Sequence, residues 1–360
     1  MKKIFVFTAL LFMAWGCTTH RTDTASIADA GGRIAHVEPL SWWVGMRMPL
    51  QLLVCGGNIA EYEVAVEGGR GVAIEAVHKA DSPDYLFIDI AVSPKAQAGR
   101  YYLVFTRGDE QFKYAYEIAE RRAGSRERGS FTTADMIYLL MPDRFANGDE
   151  SNDSTADTKE KCRRDELFGR HGGDIAGIEE HLDYIASLGA TAVWSTPLLL
   201  DNDAQGSYHG YACADYYKID PRFGTNEQYR EMVRKAHGQG LKVIMDMVPN
   251  HCGVEHWWYD NPPFEDWIHR FDTYTQSNFT FSTNMDTNAS QYDLRRMESG
   301  WFVETMPDMN LDNPFVRRYF EQWAAWWIEY ADLDGLRVDT YPYNEKRPMS
   351  EWCAAIVREY

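Results

Sequence analysis

The chain has little of what would staple a small domain or seat a transition metal. Six cysteines occur in 360 residues: Cys17, Cys55, Cys162, Cys213, Cys252 and Cys353. They are scattered, and no Cys-x-x-Cys spacing is present, which argues against a disulfide framework and against a zinc site. They are expected to act as small apolar residues. Positive charge is also short. Against 54 Asp and Glu stand only 36 Lys and Arg, a formal net charge of −18. Such a surface repels phosphate backbones and anionic lipid, so nucleic acid is not expected as a partner. No internal repeat is visible, and the apolar run from Ile4 to Trp15 is too short to span a bilayer as a helix.

What is present fits about two domains by length. The composition, 45% hydrophobic and 25% charged, is ordinary for a globular protein. Aromatics reach 14%, which is high. Most of that excess is read as core, and the rest as flat faces for a ligand such as a sugar ring.

At the N-terminus, Lys2 and Lys3 precede the apolar run, and Gly16-Cys17 follows it. This is the pattern of a secretion signal. A cysteine directly after a small residue at the end of such a run resembles a bacterial lipoprotein cleavage site. Ala14 and Gly16 fit that pattern, and Trp15 is unusual in it. Residues 1–16 are therefore expected to be a lipoprotein signal peptide, Cys17 the lipidated first residue, and 17–33 a polar tether. A plain signal peptide with an incidental cysteine is the competing reading.

From residue 34 to 120 the pattern is β. Phe112, Tyr114, Tyr116 and Ile118 alternate with polar or small residues, as do Tyr101, Leu103 and Phe105, and Tyr62, Val64 and Val66. Turns are expected at Gly56-Gly57-Asn58, Gly68-Gly69, Ser82-Pro83-Asp84 and Gly99. Short alternating strands with Gly and Pro between them predict an Ig-like β-sandwich. Residues 121–132, charged and holding Gly and Ser, read as a linker.

After it the style changes. Near-continuous apolar runs at Met136–Met141, Ala192–Trp194, Leu241–Met247 and Leu333–Val338 predict strands. Ile175–Leu188, Asn226–His237, Pro314–Tyr330 and Met349–Tyr360 predict helices. Apolar strands alternating with helices predict a parallel sheet covered by helices. Four strands make the first half of a (β/α)8 barrel over 133–360, with a long insert, 252–311, after the third strand. Loops of that kind sit at the C-terminal face, where active sites are built.

Two of these strands end in charge. Arg337 and Asp339, two apart on a strand, share a face. The guanidinium is expected to keep the carboxylate ionised, which makes Asp339 a candidate nucleophile. A structural ion pair explains the two residues equally well. The third strand delivers Asp246, Asn250 and His251 to the same end, a set suited to hydrogen bonding a polyhydroxylated ligand. Alone, His251 would be read as a satisfied core histidine.

Together these residues resemble the α-amylase family, glycoside hydrolase family 13. Asp246-Met-Val-Pro-Asn-His251 and Gly335-Leu-Arg-Val-Asp339 look like its first and second conserved regions. Met306-Pro-Asp-Met309 and Gly189-Ala-Thr-Ala-Val-Trp-Ser-Thr-Pro197 resemble two more. The run His209-Gly-Tyr211 through Asp215-Tyr-Tyr217 and Ile219-Asp-Pro-Arg-Phe-Gly224 looks like its substrate-stacking stretch. The motifs stand in the family's order. Residues 34–120 look like the N-terminal sandwich of cyclomaltodextrinases, neopullulanases and maltogenic amylases. The resemblance implies retaining hydrolysis of α-1,4-glucosidic bonds in maltodextrins, cyclodextrins or pullulan, with two carboxyl groups about 5–5.5 Å apart. It implies Asp339 as nucleophile, with Arg337 orienting it. It also implies that His251, Tyr211, His209 and Asp246 serve the sugar site: His251 bonding the reacting sugar, Tyr211 stacking beneath it and Asp246 supporting Arg337. The acid–base glutamate and a stabilising His-Asp pair are expected after Tyr360, so the 360 residues alone are expected to be inactive and poorly folded, with exposed apolar strand edges. A glucan-binding protein that does not cleave, and a glucan transferase of the same clan, are the other two readings. By analogy a homodimer is expected, and the location is expected to be lipid-anchored, in the periplasm or at the outer membrane of a Gram-negative bacterium.

A second constellation lies in Asn147-Gly-Asp149-Glu-Ser-Asn152-Asp153. Its clustered oxygens suit a hard cation, and an Asx-rich turn explains it as well. The family resemblance implies a structural calcium ion held by Asn147, Asp149, Asn152, Asp153, the Gly172 carbonyl and Asp174. Of the aromatics, Trp257, Trp258, Tyr259, Trp267, Phe271 and Tyr274 are read mainly as packing of the insert, with one or two lining sugar subsites. Trp323, Trp326, Trp327 and Tyr330, at helical spacing, are read as core.

Overall fold

The computed structural model describes residues 32–360. The signal sequence, Cys17 and nearly all of the tether lie outside the described residues.

The first domain is a sandwich of two four-stranded sheets. One has the order β1 (His36–Glu38), β3 (Leu50–Cys55), β6 (Tyr85–Val92), β5 (Val72–Lys79). The other has β2 (Ser41–Trp43), β8 (Glu110–Ala119), β7 (Gly99–Arg107), β4 (Glu63–Glu67). All pairs are antiparallel except β2 with β8. In β7 and β8 the alternating aromatics point inward, and Phe105 stacks on Phe112 with ring centroids 5.0 Å apart. Strand β6 instead reads as an unbroken apolar run, Tyr85 to Ile88, because both its faces are covered. Its Phe87 meets Phe264, Trp267 and Phe315 of the second domain. Gly99 does not turn the chain as expected. It opens β7 at φ 149°, a backbone state that glycine tolerates.

The second domain is built on four parallel strands in the order β9 (Ile137–Leu140), β10 (Ala192–Ser195), β13 (Lys242–Met247), β14 (Gly335–Val338). This is the first half of a (β/α)8 barrel. On the outer strand β9, Ile137 and Leu139 are exposed. A short antiparallel pair, β11 (Leu199–Asp201) and β12 (Cys213–Ile219), follows β10. It escapes a periodicity reading because β11 has three residues and the pairing is bulged.

Helix α1 (Pro142–Phe145) follows β9. The helix expected over 175–188 is two, α2 (Ile175–Glu180) and α3 (Leu182–Ser187). His181 breaks it: its Nδ1 lies 2.8 Å from the Gly177 carbonyl and so competes with the backbone for that acceptor. Helix α4 (Asn226–Gly238) starts with a reciprocal capping box, Thr225 with Gln228, and buries Tyr229, Met232, Val233 and Ala236. The insert carries α5 (Phe281–Met285) and α6 (Gln291–Ser299), and α7 (Pro314–Ala331) returns the chain to the sheet. Asn313 caps α7 and Pro314 fills its first turn. This helix is apolar nearly all round because it is wedged between barrel and sandwich. On one side Trp323 and Trp327 donate to the Tyr216 carbonyl at 2.6 and 3.0 Å, and on the other Tyr319 donates to Glu38 at 2.7 Å. Helix α8 (Lys346–Glu359) closes the described chain.

The linker is firmly held. Arg121, Arg126 and Arg128 reach the ends of α7 and α8. Among the described residues all five cysteines are free thiols, with Cys213 and Cys252 buried. No helix of the described residues is long and apolar enough to cross a membrane.

Candidate active site

Parallel strands aim their C-terminal ends the same way, so β10, β13 and β14 bring Trp194, Asp246 and Arg337 together from three segments. Asp246 and Arg337 are register partners across β13 and β14. Nη1 of Arg337 lies 3.0 and 3.1 Å from the two carboxylate oxygens of Asp246, and 2.6 Å from Oδ1 of Asp339. One guanidinium nitrogen thus sits between two carboxylates. The Trp194 indole N–H donates to Asp246 Oδ2 at 2.9 Å, and its ring lies under the guanidinium at 5.0 Å. The Tyr211 hydroxyl donates to the same Oδ2 at 3.3 Å. Burial pushes the Asp246 carboxyl up to about 6, against the pull of the indole N–H and of Arg337. The Asp339 side chain is partly open, at 15% exposure, whereas that of Asp246 is sealed. Of the two carboxylates, Asp339 is the one that a ligand can reach.

His251 and His209 flank this pair differently. His251 is fully buried, and burial pushes its imidazole down to about 3, so the ring is neutral. Its Nδ1 lies 3.0 Å from Asn250 Oδ1, while Asn250 Nδ2 is committed to Asp308. Nδ1 therefore carries the proton, and Nε2, which has no partner among the described residues, is left to accept one. Phe302 of the insert stacks over one face of the ring at 5.2 Å. His209 Nδ1 accepts from the Tyr211 backbone N–H at 3.0 Å and so shapes the loop that presents Tyr211.

Trp194, Phe302, Asp308 and His269 have no role that the sequence motifs assign, yet the fold brings them to the site or its supports. Trp194 had a usable signal, since it stands on the second strand among the motifs. Phe302 had none, because its cover over His251 joins residues far apart in the chain. Asp308 lies in the Met306–Met309 motif and is paired at 2.7 Å with His269.

The acidic loop after β9 has a different character. The Asp174 carboxylate accepts from Gly148 N, Asp149 N, Asn152 Nδ2 and Gly177 N, and so caps α2. Asn147 Nδ2 donates to Asp153 Oδ1 at 2.7 Å. The amide oxygens of Asn147 and Asn152 are buried with no hydrogen-bond partner. Gly172 presses on the same cluster: a Cβ there would lie 2.3 Å from Asp153 Oδ1. No three His, Cys, Asp or Glu side chains converge into a metal-holding group among the described residues. A cation here would depend on amide and carbonyl oxygens as well as Asp153, a hard donor set that fits calcium and not zinc. Asp149, bonded to Ser151, and Asp174, committed to the helix cap, are the least available of the expected ligands.

In the insert, Trp258 and Trp267 are sealed core, and Trp257 stacks on His36 of the sandwich at 3.8 Å. Tyr274 is exposed. Trp323, Trp326 and Trp327 are core.

A β-sandwich leading into parallel strands, with a shared arginine and two carboxylates at their C-terminal ends, defines a barrel protein with a carboxylate site. Residues 139–352 match the alpha amylase catalytic domain, and residues 36–122 match the cyclomaltodextrinase N-terminal domain. The chain belongs to the alpha-amylase family. It is 34% identical over 220 residues to a cyclomaltodextrinase of Thermoanaerobacter pseudethanolicus, covering 58% of this chain and 34% of the relative. It is 35% identical over 214 residues to neopullulanase 2 of Thermoactinomyces vulgaris, covering 57% and 33%. Among solved structures, an alpha-amylase from Geobacillus thermoleovorans complexed with acarbose is similar at 34% identity with a TM-score of 0.50, over 63% of this chain and 44% of that one. The matched part spans about a third of the length of these curated relatives.

Proposed function

We propose that this chain carries the nucleophile half of a retaining enzyme that cleaves α-1,4-glucosidic bonds in maltodextrins, cyclodextrins or pullulan. The observation that carries the reading is the Arg337 nitrogen held between Asp246 and Asp339, with only Asp339 open to a ligand. In this reading an Asp339 oxygen attacks the anomeric carbon, the glycosidic bond breaks, and a covalent glycosyl–enzyme forms. Asp246, Trp194 and Tyr211 keep Arg337 in place, and His251 Nε2 accepts a sugar hydroxyl. A 5-fluoro-α-glycosyl fluoride tests it without any acid catalyst, because fluoride leaves unprotonated. The expected result is one sugar added per chain, mapped to the peptide holding Asp339. An adduct on another side chain, or no adduct with no affinity for maltoheptaose, rejects the reading.

We further propose that the loop after β9 binds calcium through Asn147, Asn152, Asp153 and the Gly172 carbonyl. The unpartnered amide oxygens support this. When bound, the ion would pin the loop to α2. Calcium at 100 times its dissociation constant is expected to add about 2.7 kcal/mol of stability. Asn152→Ala should remove the rise in melting temperature. An equal rise in that variant, or no rise in the unaltered chain, counts against the site.

Export and lipid anchoring through Cys17 complete the proposal, supported by the charged, apolar and small-residue order of residues 2–17. Palmitate labelling in cells should vanish in Cys17→Ala, and unchanged labelling would refute the anchor.

A further inference from the structure

The chain leaves β14 through a conformation that side-chain-bearing residues avoid. Thr340, directly after Asp339, has φ 48° and ψ 27°. For a β-branched residue this left-handed state is an outlier, and it persists only where the surroundings enforce it. One buried side chain joins the backbone bonds of the following turn in enforcing it. Asn344, 3% exposed, donates through Nδ2 to the Thr340 and Tyr341 carbonyls, each at 3.1 Å. Its Oδ1 accepts from Asn250 Nδ2 at 3.3 Å, and that Nδ2 also donates to Asp308 Oδ1 at 2.9 Å. Both protons of each amide are thereby used. Asn250 Oδ1 faces His251 Nδ1, and Asp308 Oδ2 faces His269 Nδ1. Upstream, Asp339 is tied to β13 by its backbone N–H, 2.8 Å from the Met247 carbonyl.

We infer that Asn344 is a positioning residue for Asp339: it clamps the left-handed turn that follows the carboxylate and, through Asn250, couples that turn to the orientation of His251. The clamp adds side-chain amides to backbone bonds that take the same carbonyls, from Tyr343 N–H to Thr340 at 2.9 Å and from Asn344 N–H to Tyr341 at 3.4 Å. With it in place, the Asp339 carboxylate approaches a ligand from one fixed backbone, which is the geometric condition for near-attack alignment. Because Asn344 is sealed behind the turn, its effect falls on the rate of attack and not on sugar affinity.

This inference rests on Asp339 being the nucleophile, and the test separates the two. The kinetics of labelling by the 5-fluoro-α-glycosyl fluoride are measured on the unaltered chain, Asn344→Ala and Asn344→Ser. In Asn344→Ala the maximal labelling rate is expected to fall on the order of 10²-fold, as a misplacement near 1 Å would cause, while the half-saturating concentration stays within about twofold. Asn344→Ser, whose hydroxyl still donates to one carbonyl, should recover part of the rate, and it decides the matter if Asn344→Ala fails to fold. Unchanged maximal rates in the folded variants overturn the inference alone. So does a loss that appears only in half-saturation or melting temperature. An unaltered chain that takes no label at Asp339 overturns both the nucleophile assignment and the inference.

Discussion

Asp339→Asn is expected to stop glycosyl–enzyme formation, lowering the labelling rate by about 10⁴-fold or more, on the scale of a removed nucleophile. Asn keeps the shape of the side chain but presents a neutral amide oxygen, a poor nucleophile. The fold should survive, because Arg337 keeps its contacts to Asp246 at 3.0 and 3.1 Å and its place over Trp194. Arg337→Met is the informative contrast. It removes the only basic partner that Asp246 has among the described residues, so this sealed carboxylate loses its counter-charge there, and the variant should lose stability as well as rate. Labelling that persists in Asp339→Asn at the unaltered rate would show that the attacking group lies elsewhere, and mapping the adduct would say whether it is Asp246. The exposures argue against that outcome, since Asp246 is covered by Tyr211, Trp194 and Arg337.

Residues two apart on a strand face the same way, and that rule alone put Arg337 beside Asp339. The apolar runs ending in charge likewise showed where the strands stop and which ends share a face. Local pattern could not show that the same nitrogen also holds Asp246, because this depends on the pairing register of β13 with β14. Nor could it show that Phe302, 51 positions after His251, lies flat over that ring. The sandwich strands with one covered face were legible from alternation, whereas β6 was not, because its second face is covered by Phe264, Trp267 and Phe315 of the other domain. The single helix expected over 175–188 failed at His181 for a reason that periodicity ignores: the side chain takes a backbone acceptor. The linker is a similar case. Its composition, charged with Gly and Ser, signals exposure, yet its arginines are held by acidic partners more than 200 residues away in sequence.

Breaking that linker network should cost as much stability as opening a cavity in the core. Arg121 donates to Glu329 Oε1 at 2.7 Å and to Glu359 Oε1 at 2.6 Å, and these carboxylates are 2% and 1% exposed. Glu359 Oε2 takes the backbone N–H groups of Arg47 and Met48 at 2.8 and 2.7 Å, so one carboxylate joins α8, the linker and the sandwich. Arg128 donates to the Ile328 and Leu333 carbonyls, both at 3.0 Å, just ahead of the strand that carries Arg337. Four linker arginines, Arg121, Arg122, Arg126 and Arg128, face three acids, Glu329, Asp332 and Glu359; Glu329 and Glu359 are sealed, so removing Arg121 takes the close partner from two buried carboxylates. Glu359→Ala also strands two backbone donors. A loss of about 3–5 kcal/mol is expected for Glu359→Ala or Arg121→Met. Arg121→Met/Glu359→Ala together should cost less than the sum of the two singles, because each change removes a charge that the other leaves without its close partner. Urea unfolding followed by tryptophan fluorescence measures these losses. Because two domains are present, the docking step should separate as an earlier transition in the single variants. Single variants within about 1 kcal/mol of the unaltered chain, as for surface pairs, would mean that the network is hydrated in solution and that the sandwich is held to the barrel by its aromatic contacts and by hydrogen bonds such as that of Tyr319 to Glu38.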